Sequence, residues 1–183
     1  ETLKTQFSSY IPTYDEYASA VAKLFAEKYG TLENMPKLVI EPGSALVGDC
    51  MKFAAKVTGI KKVRGKAIAT LLGSIYNINP TLNTKNPPIT VYHENDNDLK
   101  NYKNLDFGGF TCIESDYLYR NYSGKLKIGD YVVFDNVGSY SVVLKPPFIL
   151  PNFAIIDCSW DDKEVELIKE AETFDDLFHT FRF

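Results

Sequence analysis

Three short runs hold the side chains best suited to chemistry. Glu41-Pro42-Gly43-Ser44 follows the apolar run Lys37-Leu38-Val39-Ile40, so a carboxylate stands just before a glycine that would let backbone N–H groups come close to an anion. Gly109-Phe110-Thr111-Cys112 leads into Ile113, Glu114 and Asp116, which puts a thiol within a few residues of two carboxylates. A thiol can donate a proton in a reaction, and a lone cysteine can equally be a small buried hydrophobe; residue type leaves both readings open. Gly138-Ser139-Tyr140 closes the run Asp135-Asn136-Val137 and offers Tyr140, one of twelve tyrosines, most of which belong in a core or an interface.

Other chemistries are disfavoured. Cys50, Cys112 and Cys158 are odd in number, far apart and outside any Cys-x-x-Cys spacing, which argues against a disulfide framework and a structural zinc site. His93 and His179 have no matching ligands nearby, so no metal site is expected. Net charge is −4, and the basic stretch Lys56 to Lys66 alternates with Val57, Ile60 and Val63 as a half-buried strand pair with a solvated edge would, so nucleic acid is not an expected partner. No apolar run reaches the ~18 residues of a membrane span, and ETLKTQFSSY lacks the apolar centre of a signal peptide. A cytoplasmic protein is the expectation.

The elements that must position these residues are legible from periodicity. Thr13 and Glu16 form a capping-box pair, and Tyr14, Tyr17, Ala18, Val21, Leu24 and Phe25 recur at helical spacing up to Gly30, predicting a helix over 13–29. Lys37 to Ile40 reads as a short buried strand ending in the Glu41-Pro42-Gly43 loop. A helix followed by a strand and a glycine-bearing loop is how the last unit of an α/β barrel would look.

From about Met51 short strands separated by Gly, Pro and Asn clusters take over: Lys52 to Val57, Lys66 to Leu72, Pro88 to Tyr92, Phe107 to Ile113, Asp130 to Asn136, Phe153 to Ile156 and Val165 to Ile168. Pro87-Pro88 and Pro146-Pro147 should mark strand starts or edges. His93 to Asn104 reads as a surface loop, and Thr173 as the cap of a short helix through Phe178. The fold class is mostly β: an antiparallel barrel or sandwich over 46–183, preceded in 1–45 by the last helix and strand of a TIM-like α/β barrel.

In order and spacing, the three runs resemble motifs of the ornithine and diaminopimelate decarboxylases, pyridoxal-phosphate enzymes of the alanine-racemase-like fold. Glu41-Pro42-Gly43-Ser44 is similar to that family's Glu-Pro-Gly-Arg. Gly109-Phe110-Thr111-Cys112 with Asp116 is similar to its Gly-Pro-x-Cys-acid-x-x-Asp, and Gly129-Asp130 followed by Gly138-Ser139-Tyr140 to its Gly-Asp strand leading to Gly-Ala-Tyr.

The resemblance implies pyridoxal 5'-phosphate as cofactor, a homodimer, and an amino acid as the small-molecule substrate. It implies that the Schiff-base lysine and the phosphate loop lie in a barrel segment before Glu1, so that the chain by itself is inactive. Residue by residue, it implies Glu41 as the carboxylate that keeps the pyridine ring protonated, and Gly43, Ser44 and Tyr140 at the phosphate. Cys112 would donate the proton that replaces carbon dioxide, in the partner subunit's active site.

Substrate contacts would come from Ile113, Glu114 and Asp116. The family usually has an acid where Ile113 stands, and in a strand a one-residue step turns a side chain to the opposite face, so Glu114 can take over only if the backbone leaves regular pleating. Ser44 likewise stands in place of an arginine, removing a bidentate cation. Three other readings remain: a non-catalytic regulatory partner of the same fold, an amino-acid racemase, and an oligosaccharide-binding β-barrel.

Overall fold

A computed structural model describes residues 12–79, 85–158 and 164–182. Helix α1 (Tyr14–Tyr29) starts where the capping box predicts: Thr13 Oγ1 accepts from the Glu16 N–H at 3.2 Å, and Glu16 Oε2 accepts from the Thr13 N–H at 2.8 Å. Its apolar face is open, with Tyr14, Tyr17 and Leu24 all exposed. One contact ties it forward, since the Tyr14 hydroxyl donates to the Ala45 carbonyl. A four-residue helix, α2 (Ser44–Val47), follows.

Six strands then form one sheet: β1 (Phe53–Val63), β2 (Lys66–Leu71), β3 (Ile89–Tyr92), β4 (Lys100–Gly108), β5 (Tyr117–Leu126) and β6 (Tyr131–Phe134), in the order β3-β6-β1-β2-β4-β5. The pairs are antiparallel except β2 with β4. Arg64 and Gly65, both at positive φ, make the two-residue turn between β1 and β2. Strand β1 pairs with β6 through its first half and with β2 through its second, bending at an irregularity between Val57 and Gly59.

The same bend carries the sheet towards closure. Asn86, just before β3, donates through its side-chain amide to the Arg120 carbonyl of β5 and accepts from the Arg120 N–H, both at 2.9 Å, so one side chain bridges the two edge strands. The result is a nearly closed, barrel-like sheet.

Inside, alternate residues of each strand meet: Leu71 of β2, Leu105 and Phe107 of β4, Leu118 of β5 and Phe134 of β6 are all fully buried. Each such side chain contributes about 1.5–3 kcal/mol by leaving water. Asp106, pointing the other way on β4, is also buried, and it is held by Lys66 at 2.8 Å and Arg120 at 2.9 Å. A separate hairpin, β7 (Ile155–Cys158) with β8 (Val165–Lys169), precedes α4 (Phe174–Phe178), which Thr173 caps.

Three expectations need correction. Lys37 to Ile40 is neither a strand nor buried: Leu38, Val39 and Ile40 are exposed, and no described strand pairs with them. An apolar run becomes a strand only when a neighbour takes its N–H and C=O groups. The strand read at Phe107 to Ile113 ends at Gly108, and the loop read at His93 to Asn104 contains the start of β4 at Lys100. Lys100 to Asn104 is polar because that end of β4 faces solvent, which hides the two-residue period. The aromatic stretch Tyr117 to Tyr122 belongs to β5, a strand that the sequence reading missed, and there Tyr119 and Tyr122 pack on the core.

Candidate cofactor site and thiol loop

The first and third runs, ninety-five residues apart, are joined. Ser44 Oγ and Ser139 Oγ lie 2.8 Å from each other, and either can be the donor. The backbone stitches the same two loops together: the Gly138 N–H donates to the Gly48 carbonyl at 3.0 Å and the Val137 N–H to the Met51 carbonyl at 3.2 Å. Ser141 Oγ, buried, donates to the Val137 carbonyl and closes the turn. At Gly138 a side chain is impossible in place, since a Cβ would overlap the Val47 carbonyl oxygen and stand 2.6 Å from Cys50 Sγ.

This stitching puts the Tyr140 hydroxyl beside Gly43. A Cβ built on Gly43 would meet only that oxygen among the described residues, at 3.6 Å, so the glycine faces an open notch. Tyr140 is half exposed and holds φ at +64°, a left-handed conformation that costs a non-glycine residue about 1–2 kcal/mol. Glu41, exposed, stands two residues before the notch. Tyr140, Ser44 and Ser139 thus offer hydroxyl groups around a glycine, an arrangement that suits a small anion.

The second run forms a loop rather than a strand end. Asp116, buried, accepts on one oxygen from Ser74 Oγ at 3.0 Å and the Ile75 N–H at 2.7 Å, and on the other from the Thr111 N–H at 3.1 Å and Thr111 Oγ1 at 2.6 Å. Ser74 is the N-cap of a short helix, α3 (Ile75–Ile78), so one carboxylate joins that helix to the loop. Gly109 is packed so closely on Asp116 that a Cβ would overlap the carboxylate. Cys112 and Glu114 are exposed, and Ile113 is half buried. With both oxygens engaged by the chain itself, Asp116 organises the loop.

Other groups lie apart from these loops. His93 Nδ1 pairs with the buried Asp130 at 2.8 Å, next to a cleft of about 630 Å³ lined by Ile60, Glu94, Asp98, Lys100 and Tyr102 among others. Lys145, half-buried over the Phe153 ring at 4.8 Å, has its pKa pushed down to about 8, chiefly by burial. Among the described residues no cluster of three metal-capable side chains occurs.

Over residues 13–138 the chain matches the family model for the pyridoxal-dependent decarboxylase C-terminal sheet domain. The chain belongs to this family. Among curated relatives of this decarboxylase domain, it is 26% identical to the diaminopimelate decarboxylase of Archaeoglobus fulgidus over 173 residues, covering 93% of this chain and 40% of that protein. It is 28% identical to the diaminopimelate decarboxylase of Methanocaldococcus jannaschii over 180 residues, covering 91% of this chain and 37% of that protein. It therefore spans about 40% or less of the length of these relatives.

In fold, the chain is similar to the diaminopimelate decarboxylase from Helicobacter pylori complexed with L-lysine, at a TM-score of 0.76 and 17% identity, covering 96% of this chain and 41% of that one. It is similar too to the Paramecium bursaria Chlorella virus arginine decarboxylase bound to agmatine, at 0.56 and 24%, covering 73% and 36%.

Pyridoxal phosphate is the cofactor that membership of this decarboxylase family implies. The notch at Gly43 fits a phosphate group: it is open, it is faced by a tyrosine hydroxyl, and Ser44, next in the chain, pairs its hydroxyl with that of Ser139. Gly43, Ser44 and Tyr140 lie on the two joined loops with Glu41 just before them in the chain, whereas Cys112, Ile113 and Glu114 ride on a different loop. Sequence reading missed Ser139, Thr111 and Ser74. Ser139 and Thr111 sit inside the motifs and would be found by asking what each hydroxyl bonds. Ser74 is forty-two residues from its carboxylate and gave no local signal.

Proposed function

We propose that this chain is the C-terminal part of a pyridoxal-phosphate-dependent decarboxylase acting on a basic or diamino acid. Residues 1–45 would be the end of its cofactor-binding α/β barrel and 46–183 its β domain. The observation that carries the reading is the joining of the Glu41–Ser44 and Gly138–Tyr140 loops into one hydroxyl-lined notch.

When bound, the cofactor supplies an electron sink for the charge left on the α-carbon as carbon dioxide departs. This chain's own residues do the rest of what is assigned to it. Glu41 provides a carboxylate to hold a proton at the ring nitrogen, and Tyr140, Ser44 and Ser139 bind and orient the phosphate. Cys112, exposed on its loop, supplies the proton to the α-carbon and works in the active site of a partner subunit.

The homodimer is supported by apolar side chains left in water next to the cofactor loop, among them Val143, Leu144, Phe148 and Ile149. The 183 residues alone do not turn over substrate. The test is to produce the protein together with its barrel and follow carbon dioxide release from diaminopimelate, ornithine, lysine and arginine with pyridoxal phosphate present. Release from at least one of these, lost in Glu41→Gln, is the expected result. A protein that binds the cofactor but decarboxylates none of them would overturn the reading in favour of a non-catalytic partner.

A further inference from the structure

The Cys112 side chain is exposed and makes no hydrogen bond among the described residues, yet the residues on both sides of it are anchored. The anchor is one hydroxyl. Thr111 Oγ1 donates to Asp116 Oδ2 at 2.6 Å and at the same time accepts from the Ile113 N–H at 3.3 Å. Thr111 is held a second time, through its own N–H to Asp116 at 3.1 Å, and the Ile113 carbonyl accepts from the Asp116 N–H at 3.0 Å. The Cys112 backbone is therefore bracketed between two residues that both report to Asp116. Asp116 is itself fixed from the far side by Ser74 and the Ile75 N–H, and it cannot move towards Gly109, which already touches it.

We propose that Asp116, acting through the Thr111 hydroxyl, is a positioning residue that sets where the Cys112 thiol is presented. This rests on the reading of Cys112 as the working thiol, and it assigns Asp116 no contact with substrate. A carboxylate is required because all four of its partners are donors. An amide in the same place would turn its NH₂ towards one pair of them and leave those donors unmatched.

The side chain of Thr111 gives the cleaner test, because its hydroxyl reaches the Cys112 bracket while Ser74 serves only the helix side. The full chain is alkylated with iodoacetamide across a range of pH, and labelling at Cys112 is read by peptide mass spectrometry, which separates it from Cys50 and Cys158. Thr111→Val should change the Cys112 labelling rate by about 2- to 10-fold, the equivalent of one lost hydrogen bond. Thr111→Ser should restore the wild-type rate. Asp116→Asn should act in the same direction as Thr111→Val, while Ser74→Ala should lower the melting temperature and leave the Cys112 pH–rate profile unchanged.

Wild-type labelling in Thr111→Val, or an equal change in Ser74→Ala, would overturn the proposal, even if Asp116→Asn failed to fold. Alkylation needs no turnover, so a Cys112→Ala enzyme with unchanged activity would refute the catalytic reading without touching this result.

Discussion

Ser44 Oγ and Ser139 Oγ lie 2.8 Å apart, and these are the two places where the chain departs from the arginine of Glu-Pro-Gly-Arg and the alanine of Gly-Ala-Tyr. The departures are thus in contact. A guanidinium at residue 44 would carry a fixed charge and a forked set of donors; the pair of serines supplies neutral hydroxyls joined to each other instead.

The first prediction concerns this pair in the protein with its barrel. Ser139→Ala removes one partner and should weaken pyridoxal-phosphate binding by about 2- to 10-fold, as expected for one neutral hydrogen bond. Ser44→Arg combined with Ser139→Ala recreates the family pattern and should tighten binding by about 10-fold or more, because a charged donor replaces a neutral one. Fluorescence titration with the cofactor measures both. Equal affinity in all three proteins would show that the serines do not face the phosphate.

The second prediction is steric. Gly138→Ala drives a methyl group into the Val47 carbonyl and Cys50, so the two loops must part. Such overpacking costs about 1–3 kcal/mol. The variant should melt several degrees lower and bind the cofactor more weakly. Gly43→Ala is the counterpart: its Cβ would meet the Tyr140 hydroxyl at ordinary contact distance, so the loops stay joined while the notch is filled. Weaker cofactor binding in both, with the melting temperature falling much further in Gly138→Ala, is the expected pattern in a thermal scan and titration.

The third prediction follows from charge inside the sheet. Burial alone would push the Asp106 carboxyl up, but its hydrogen bonds from Lys66, the Asn121 N–H and Arg120 outweigh this and hold its pKa below the ordinary carboxylate value. A carboxyl depressed on folding adds stability that is present above its unfolded pKa of about 4 and is lost as pH falls through the lower folded value. Asp106→Asn should therefore be less stable than wild type at pH 7, and the gap should close below about pH 4 in urea melts. A gap independent of pH would mean that packing, not charge, holds β2, β4 and β5 together there.

How far the sequence could be read depended on the range of the interactions involved. The α1 helix was legible because its capping box and apolar period are local, and the Thr13 and Thr173 caps form as read. The β1–β2 pair was legible only in part: the alternation through Val57, Ile60 and Val63 is local, but β1 runs on to Val63, past the Val57 at which the strand was read to end. Strand β4 was misread because its solvent-facing end is polar and because Asn104 and Asn121, at positive φ, break the register with β5. The Lys37–Ile40 run has the composition of a strand, but pairing is a property of the neighbour and no described strand supplies one. At the site, type and order pointed to Gly43, Ser44 and Tyr140, which the fold brings onto two joined loops. Type and order were not enough to separate Asp116 from its neighbours, because a carboxylate's role is decided by which donors the fold brings to it.

The last prediction concerns substrate choice, and it turns on how the chain runs past Cys112. Read as a strand, this stretch would put Ile113 and Glu114 on opposite faces, leaving no acid where the family usually has one. The loop removes that restriction: Cys112 lies between the anchored Thr111 and Ile113, Glu114 and Ser115 form a turn, and Glu114 is exposed. Under the proposed function, Glu114 would meet a distal ammonium group, with Ile113 beside it as an apolar wall. In the protein with its barrel, Glu114→Gln should raise KM for diamino substrates with little change for a substrate lacking the distal amine, since a charge-assisted hydrogen bond is lost from binding. Ile113→Asp should shift preference towards substrates with a distal ammonium. Cys112→Ala should behave differently from both, lowering kcat or altering the product ratio by about 10²- to 10⁴-fold in the step it serves while leaving KM nearly unchanged. A proton donor acts after carbon dioxide has left, so its removal affects later transition states and not the binding of the amino acid. Steady-state kinetics on ornithine, lysine and diaminopimelate, with carbon dioxide and amine product followed separately, distinguish the three. If Glu114→Gln and Ile113→Asp left the substrate ranking as it was, specificity would be set by the barrel and not by this loop.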